Sequence, residues 1–350
     1  MFWIIGGDAI VHAFAEANDW PAADRAATQM SHVAWNGFRF YDLIFPLFIF
    51  ISGVAMPYSL SRRVEEGANR TSLVLHALRR GLVLVALGIV YNNGLFRLPF
   101  GEMRFPSVLG RIGLAYAGAA VIVLFVSVRG QLLWFLGLVL GYWAALKLVP
   151  VPGFGTGQLT VEGNLAGAID RAILPGRLFL DVHDPEGLFS TIPAVGTALA
   201  GALTGHFLRR KGNDGAGQAS ASLAVAGIAA LAMGWLWGRW LPVNKNLWTG
   251  SFVCITAGWS LLLLALFHYV IDVRGHQRLA YFFTVIGANS ILIYLAGHVI
   301  DFGLATDFFF GGLLNKLNDP TAEVLWQVGF IVVEWLVLWQ LYKRRIFLRV

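Results

Sequence analysis

The sequence predicts an all-α, polytopic membrane protein with about ten transmembrane helices in one bundle. Of its 350 residues, 57% are hydrophobic and 13% are charged, whereas about 25% of the residues of a soluble domain carry a charge. Apolar runs of about 18 residues or more recur along the chain, and each is long enough to cross a bilayer. The alternating pattern of membrane strands is absent, which disfavours a barrel.

Ten apolar segments define the predicted spans. They are residues 1–15, 41–60, 74–92, 108–127, 131–149, 189–208, 220–241, 248–271, 280–300 and 322–342. The first is the shortest and contains two ionisable residues, Asp8 and His12. In the sixth, Gly201 and Gly205 form a small-xxx-small pair, which predicts close packing inside the bundle or, alternatively, a dimer face. We treat residues 1–350 as one transmembrane domain, with an extracytoplasmic loop region at residues 150–188.

The distribution of charge predicts the orientation. Lys and Arg are concentrated in the short connections after spans two, four, six and eight and in the C-terminal tail, so the positive-inside rule places both termini in the cytoplasm. The net charge of +6 is therefore typical of a membrane protein rather than of a nucleic-acid binder. The single cysteine, Cys254, excludes a disulfide within the chain.

His32 and Asp42 stand at the entrance to the second span. An ionisable group at membrane depth costs about 2.5–3.5 kcal/mol on insertion scales, so it needs a partner or a purpose. A neutral imidazole can take a proton near pH 7, and a carboxylate can fix its tautomer. In the alternative interpretation, Asp42 only complements the N-terminus of a helix.

Two further stretches carry polar residues at predicted membrane boundaries. In "LPVNKNLWTGS", Asn244 and Lys245 precede Trp248; such a lysine can bind phosphate, or it can be an interfacial anchor beside tryptophan. "RLPFGEMRFPSVLGRIGLAY" contains Arg97, Arg104 and Arg111. An arginine that opens a span should face protein or water rather than lipid. The sequence contains no dinucleotide-binding GxGxxG motif after a strand, no P-loop, no metalloprotease HExxH motif and no serine-hydrolase GxSxG motif. No metal site is predicted.

Six motifs occur in the order of a known family. They are "HVAWNG" with "YDLIFPLFIFISGVAMPYSLSRR", "RFPSVLGRIGLAY", "DPEGLFSTIPAVGTALAG", "PVNKNLWTGSFV" and "GANSILIY". Together they resemble the transmembrane acetyltransferases typified by heparan-alpha-glucosaminide N-acetyltransferase and its bacterial amino-sugar-acetylating relatives. The resemblance extends over essentially the whole chain.

The resemblance implies that acetyl-CoA is used from the cytoplasmic side. The acetyl group then passes to the amine of glucosamine, or of a terminal glucosaminide, on the far side of the membrane. The catalytic histidine of the family falls on His32 and its acidic partner on Asp42. The family motifs also place substrate or cofactor contacts at Asn244, Lys245, Trp248 and Arg111. A homodimer and the inner membrane of a bacterium are further expectations, and no metal is expected.

Within such a mechanism, further residues acquire expected roles. Asn36 or Asn244 would face the thioester oxygen. Arg79 and Arg80 would bind the phosphates of acetyl-CoA or, alternatively, only anchor the helix on the cytoplasmic side. The Leu-Asp-x-x-Arg-Gly element that usually precedes the first span is missing here. Where some relatives carry an asparagine in that span, this chain has "IIGGDAI", so the role of that asparagine would fall to Asp8 or to another residue, or be lost. An amino-sugar transporter and an O-acyltransferase of envelope polysaccharide remain alternatives.

Overall fold

The computed structural model describes residues 1–94, 99–212, 215–314, 316–317 and 319–348. Their regular structure is helical, as predicted. The α-helices are, in chain order, α1 (Asp8–Glu16), α2 (Pro21–Gln29), α3 (Ile44–Met56), α4 (Arg62–Glu65), α5 (Arg70–Asn93), α6 (Val108–Phe125), α7 (Val128–Leu148), α8 (Leu165–Ile173), α9 (Thr191–Lys211), α10 (Ala216–Trp237), α11 (Gly250–Phe267), α12 (Gln277–Ala288), α13 (Ser290–Ala296), α14 (Phe302–Leu314) and α15 (Asp319–Lys343).

Eight continuous helices in the described part of the chain are long and apolar enough to cross a bilayer, which identifies an integral membrane protein. They are Phe40–Glu65, Arg70–Asn93, Val108–Phe125, Val128–Leu148, Thr191–Lys211, Ala216–Trp237, Gly250–Val273 and Pro320–Lys343. These helices coincide with predicted spans two to eight and ten. The ninth predicted span is a pair of helices, α12 and α13, bent by 57°.

The first predicted span is short in the structure. It consists of a five-residue π-helical turn, Trp3–Gly7, followed by the nine-residue α1. A membrane helix needs about 20 residues, and the polar residues that follow Glu16 end this helix early. The segment then continues as the amphipathic α2.

The described residues form two compact units. The first contains Met1–His32, Arg39–Ile44 and Arg274–Val350, and the second contains Val33–Phe38 and Phe45–Val273. In the first unit, α1 and α14 both pack against α15. Asn289, at the bend between α12 and α13, donates to the Ile346 carbonyl at 2.9 Å and accepts from the Leu348 N–H at 3.0 Å. The single-domain prediction remains a prediction.

The second unit is built by close helix contacts at glycines. A Cβ atom added at Gly201 would lie 2.0 Å from the Phe50 carbonyl oxygen, and one at Gly205 would lie 2.3 Å from the Val54 oxygen. Both glycines therefore allow the backbones of α9 and α3 to touch. This confirms packing within the fold as the role of the small-residue pair, so the pair gives no support to a dimer face.

Candidate functional site

Asp42 lies at the N-terminus of the first long membrane helix. A 3₁₀ turn, Phe40–Leu43, leads into α3, and Arg39 before it has an extended backbone. The N–H of Arg39 donates to Asp42 Oδ2 at 3.1 Å. The Asp42 side chain is fully buried. The carboxylate therefore caps the helix, satisfying a backbone donor that would otherwise lack a partner within the helix.

The second oxygen of Asp42 binds His32. His32 Nδ1 lies 2.7 Å from Asp42 Oδ1, and Arg39 Nη1 donates to the His32 carbonyl oxygen at 3.0 Å. A carboxylate only accepts hydrogen bonds, so Nδ1 carries the proton and the basic lone pair of the neutral ring is on Nε2. The side chain of His32 is 50% exposed. A solute can thus reach the His32 imidazole, and the hydrogen bond to Asp42 fixes the tautomer of the ring.

Tyr41 and Asp8 complete this arrangement within the first unit. The centres of the His32 and Tyr41 rings are 4.8 Å apart. The carboxylate of Asp8, the first residue of α1, lies near the Tyr41 side chain. We call Asp8, His32, Arg39, Tyr41 and Asp42 the histidine cluster. It joins the predicted pair to the ionisable residue of the first span.

The predicted asparagines meet in the second unit. Asn244 Nδ2 donates to Asn36 Oδ1 at 3.0 Å, and Asn244 Oδ1 accepts from the Leu247 N–H at 2.8 Å. Asn244 is fully buried, whereas Asn36 is exposed. Both ends of the Asn244 amide are thus used inside the fold, and Asn36 is the one of the two that a ligand can reach.

Trp248 and Arg111 lie together inside the second unit. Trp248 is fully buried, has a left-handed backbone (φ 51°), and donates from Nε1 to Thr197 Oγ1 at 3.1 Å. Its ring lies 4.9 Å from Cζ of Arg111, a cation–π contact. Arg111 Nη2 donates to the Gly187 carbonyl at 3.0 Å and to the Ser190 hydroxyl. We call these five residues the arginine cluster.

The guanidinium of Arg111 is almost completely enclosed. The residue is 1% exposed, and its Nε and Nη1 atoms have no hydrogen-bond partner among the described residues. It borders a cavity of about 190 Å³, which Ser107 and Glu186 also line. A cavity of this size has room for water or a small polar group beside the guanidinium.

Sequence reasoning missed the ion pairs that hold the loop before α9. Arg104 Nε and Nη2 each donate to Asp184 at 2.8 Å, and Nη2 also donates to Glu186. Asp184 is fully buried and accepts the N–H of Phe179 at 3.0 Å. These contacts fix the segment whose Gly187 carbonyl meets Arg111. Both partners lie in quoted motifs, but one sequence contains no signal that pairs residues 80 positions apart.

The other residues expected to bind acetyl-CoA lie on helices or turns of the second unit. Arg79 is exposed, whereas Arg80 lies against Tyr116, with Cζ 4.6 Å from the ring centre. Lys245 is partly buried, and its carbonyl accepts the N–H of Trp248 at 3.1 Å. Arg97 lies outside the described residues. No group of three or more metal-ligating side chains occurs in the described part of the chain.

Comparison with known proteins identifies relatives along most of the chain. It is 29% identical to heparan-alpha-glucosaminide N-acetyltransferase of Homo sapiens, over 91% of this chain and 55% of that protein. It is 27% identical to the protein of the same name from Mus musculus, over 91% of this chain and 56% of the relative. The chain thus spans about half the length of the curated relatives it matches. No family model matches it. The resemblance predicted from the six motifs is confirmed by these relatives.

Proposed function

We propose that this protein is a membrane-embedded N-acetyltransferase that moves an acetyl group from acetyl-CoA to the amine of glucosamine or a terminal glucosaminide. The hydrogen bond of 2.7 Å between His32 and Asp42 is the observation that carries the proposal. This hydrogen bond favours the tautomer of the half-exposed His32 in which Nδ1 carries the proton and Nε2 can act as a base. His32 also lies in a motif that resembles the acetyltransferase family. The names of the two relatives support both the acetyl transfer and the glucosaminide acceptor.

In the proposed reaction, the neutral amine attacks the thioester carbonyl carbon and the carbon–sulfur bond breaks. His32 Nε2 takes the proton that the amine loses, and that proton then goes to the leaving thiolate. Asp42 stabilises the imidazolium formed in between, since its Oδ1 already accepts from Nδ1. General-base assistance of this type accelerates a reaction about 10²–10⁴-fold.

The oxyanion that develops on the thioester oxygen needs a hydrogen-bond donor. Asn36 is the better of the two predicted donors, because it is exposed while the Asn244 amide is bonded at both ends within the fold. Asn244 then acts as a positioning residue that orients the Asn36 side chain. The resemblance implies that Trp248 and Arg111 contact substrate or cofactor. Because both are buried, we propose instead that they support the fold around Asn244.

A covalent route uses the same residues. There, His32 Nε2 attacks the thioester itself, acetyl-histidine forms as the thiol leaves, and the amine takes the acetyl group in a second step. Mixing the protein with acetyl-CoA alone distinguishes the two routes. Isolation of a peptide acetylated at His32, together with ping-pong kinetics, would establish the covalent route. Sequential kinetics without that peptide would establish direct transfer.

The finer expectations belong to the same proposal. Arg79, Arg80 and Lys245 are proposed to contact acetyl-CoA, and Asp8 to support the histidine cluster through Tyr41. The extracytoplasmic acceptor, the bacterial inner membrane and the homodimer rest on the resemblance and on the charge distribution of the sequence.

The experiment is product formation from radiolabelled acetyl-CoA by the purified protein in lipid, with glucosamine and glucose as parallel acceptors. The proposal expects an acetylated product from glucosamine alone, because glucose offers hydroxyls but no amine. Acetylation of both sugars would replace it with O-acyl transfer. Uptake of glucosamine into vesicles, without any acetylated product, would replace it with transport.

A further inference from the structure

A further cavity lies in the second unit, and none of the residues of the proposed reaction lines it. It has a volume of about 490 Å³ and is bounded by the last turns of α9 and by the first residue of α7. Its lining residues are Val128, Leu203, His206, Phe207, Arg209 and Arg210. We call this cavity the His206 pocket.

The lining residues of α9 form one helical face with a gradient of polarity. Leu203, His206, Phe207 and Arg210 follow the i, i+3, i+4, i+7 pattern, so they project in the same direction. Leu203 lies about 10 Å along the helix axis from Arg210, at 1.5 Å per residue. The pocket is therefore cationic at the end of the span and apolar one to two turns deeper. This layering matches a ligand with an anionic head and an apolar chain.

The two arginines of the pocket, Arg209 and Arg210, differ in whether a carboxylate balances their charge. Arg209 Nη1 donates to Glu65 at 2.8 Å and to the Pro57 carbonyl at 3.2 Å. Its charge is thus balanced by Glu65. Arg210 is exposed, and among the described residues its guanidinium forms no ion pair with a carboxylate. An anion entering the pocket would meet the uncompensated charge of Arg210 with the fixed Arg209 beside it.

Two further features favour an anion at this place. His206 Nε2 is buried and has no hydrogen-bond partner in the described residues, and a ligand oxygen would satisfy it. Val128 is the first residue of α7, whose N-terminus carries a partial positive charge. Phosphate oxygens combine with arginine, histidine and helix N-termini through such charge-assisted hydrogen bonds.

We propose that the His206 pocket binds a phosphate ester carried on an apolar chain. Two sources share this chemistry. One is the headgroup of an anionic phospholipid, for which basic pockets between membrane helices on the cytoplasmic side are suited. The other is the phosphorylated end of acetyl-CoA with its pantetheine arm, and this source alone rests on the proposed function. Arg209, Arg210 and Lys211 lie at an end of α9 that the charge distribution assigns to the cytoplasm, where both ligands are present.

The test uses full-length protein and compares wild type with Arg210→Gln and His206→Gln. Arg278→Gln is the matched control, because it removes one exposed positive charge on the same predicted side without lining the pocket. In the lipid arm, protein reconstituted with phosphatidylglycerol and phosphatidylcholine is analysed by native mass spectrometry for retained lipid. In the nucleotide arm, binding of CoA and of dephospho-CoA is measured by calorimetry. Thermal unfolding of each variant checks the fold.

We expect Arg210→Gln to weaken binding of one of these probes about tenfold, because a charge-assisted hydrogen bond to the phosphate is lost. His206→Gln should have a smaller effect, and the control none. Loss of retained phosphatidylglycerol identifies a lipid site, and weaker binding of CoA identifies a nucleotide site. Unchanged binding of both probes in folded Arg210→Gln and His206→Gln protein would overturn the inference.

This outcome is independent of the acetyl-transfer experiment. If glucosamine is not acetylated but phosphatidylglycerol is retained through Arg210, the proposed function fails and the pocket stands. If glucosamine is acetylated and neither probe depends on the pocket, the inference fails and the proposed function stands.

Discussion

The histidine cluster and the arginine cluster each place a nitrogen-bearing side chain beside an aromatic ring, but the two side chains differ in exposure. His32 is half exposed above a fully buried carboxylate, whereas Arg111 is enclosed by Trp248, Gly187 and Ser190. A proton can be exchanged with a ligand only where the titrating atom can be reached. A buried guanidinium instead fixes the groups around it. We therefore propose a chemical role for the first cluster and a structural role for the second.

The largest effect should come from Asp42→Asn, which tests the proposed chemical role of the histidine cluster. The amide keeps the size of the side chain but loses the charge that stabilises an imidazolium, so kcat for acetyl transfer should fall about 10²–10⁴-fold. Asp24→Asn, an exposed position on α2, is the control and should retain full activity. Equal activities of the two variants would remove Asp42 from the mechanism.

Gly187→Ala tests whether the arginine cluster stabilises the fold. An added Cβ would lie 1.7 Å from Asp170 Oδ2, so the loop must move and the Arg111 contact to the Gly187 carbonyl must weaken. We expect a loss of about 1–3 kcal/mol in the free energy of unfolding. Gly141→Ala on α7, where nothing lies within 4 Å, should cost nothing. Similar unfolding midpoints for both variants would contradict the close packing around Arg111.

Arg79→Gln and Arg80→Gln compare an exposed with a packed arginine on one helix. If both contact acetyl-CoA, each variant should raise KM for acetyl-CoA about tenfold and leave KM for glucosamine unchanged. Arg80→Gln should also lower the unfolding midpoint, because it removes the contact with the Tyr116 ring. An unchanged KM for acetyl-CoA in both variants would show that the phosphates bind elsewhere.

The smallest effect concerns pH, near the arginine cluster. Burial raises the pKa of Asp170 from 3.8 to about 6, so its contribution to stability declines as pH rises from about 4 to about 6. Burial lowers the pKa of His183 from 6.5 to about 4, so its contribution increases as pH rises from about 4 to about 6.5.

Asp170→Asn separates these opposed contributions. In this variant only the His183 contribution remains, so its unfolding midpoint should rise with pH between about 4 and 6 more steeply than that of wild type. The measurement is thermal unfolding of both proteins across this range. Parallel pH profiles would show that Asp170 keeps an ordinary pKa in the folded state.

Most of the fold was predictable because hydrophobic length determines a membrane helix. Eight predicted spans are continuous helices, and the ninth is present with a bend at Asn289 that apolar content alone does not signal. The first span is too short, since polar residues after Glu16 end α1. The division into two units was not predictable, because it depends on contacts between segments far apart in the chain.

The candidate site was predictable where it is local. His32 and Asp42 are ten residues apart, and a helix N-terminus with a preceding histidine indicates their pairing. The sequence predicted that Arg111 faces protein or water. Its enclosure with Trp248 was not predictable, because that depends on Gly187, Ser190 and Thr197, which lie on other segments. Only the folded chain shows that these residues enclose one another.

The central claim is that the half-exposed His32 performs chemistry rather than supporting the fold. The most direct test is acetyl transfer to glucosamine by wild type and His32→Ala, with the unfolding midpoint measured on the same samples. The account predicts a fall in kcat of about 10²-fold or more with an unchanged midpoint. An active His32→Ala enzyme, or activity lost only together with the fold, would contradict it.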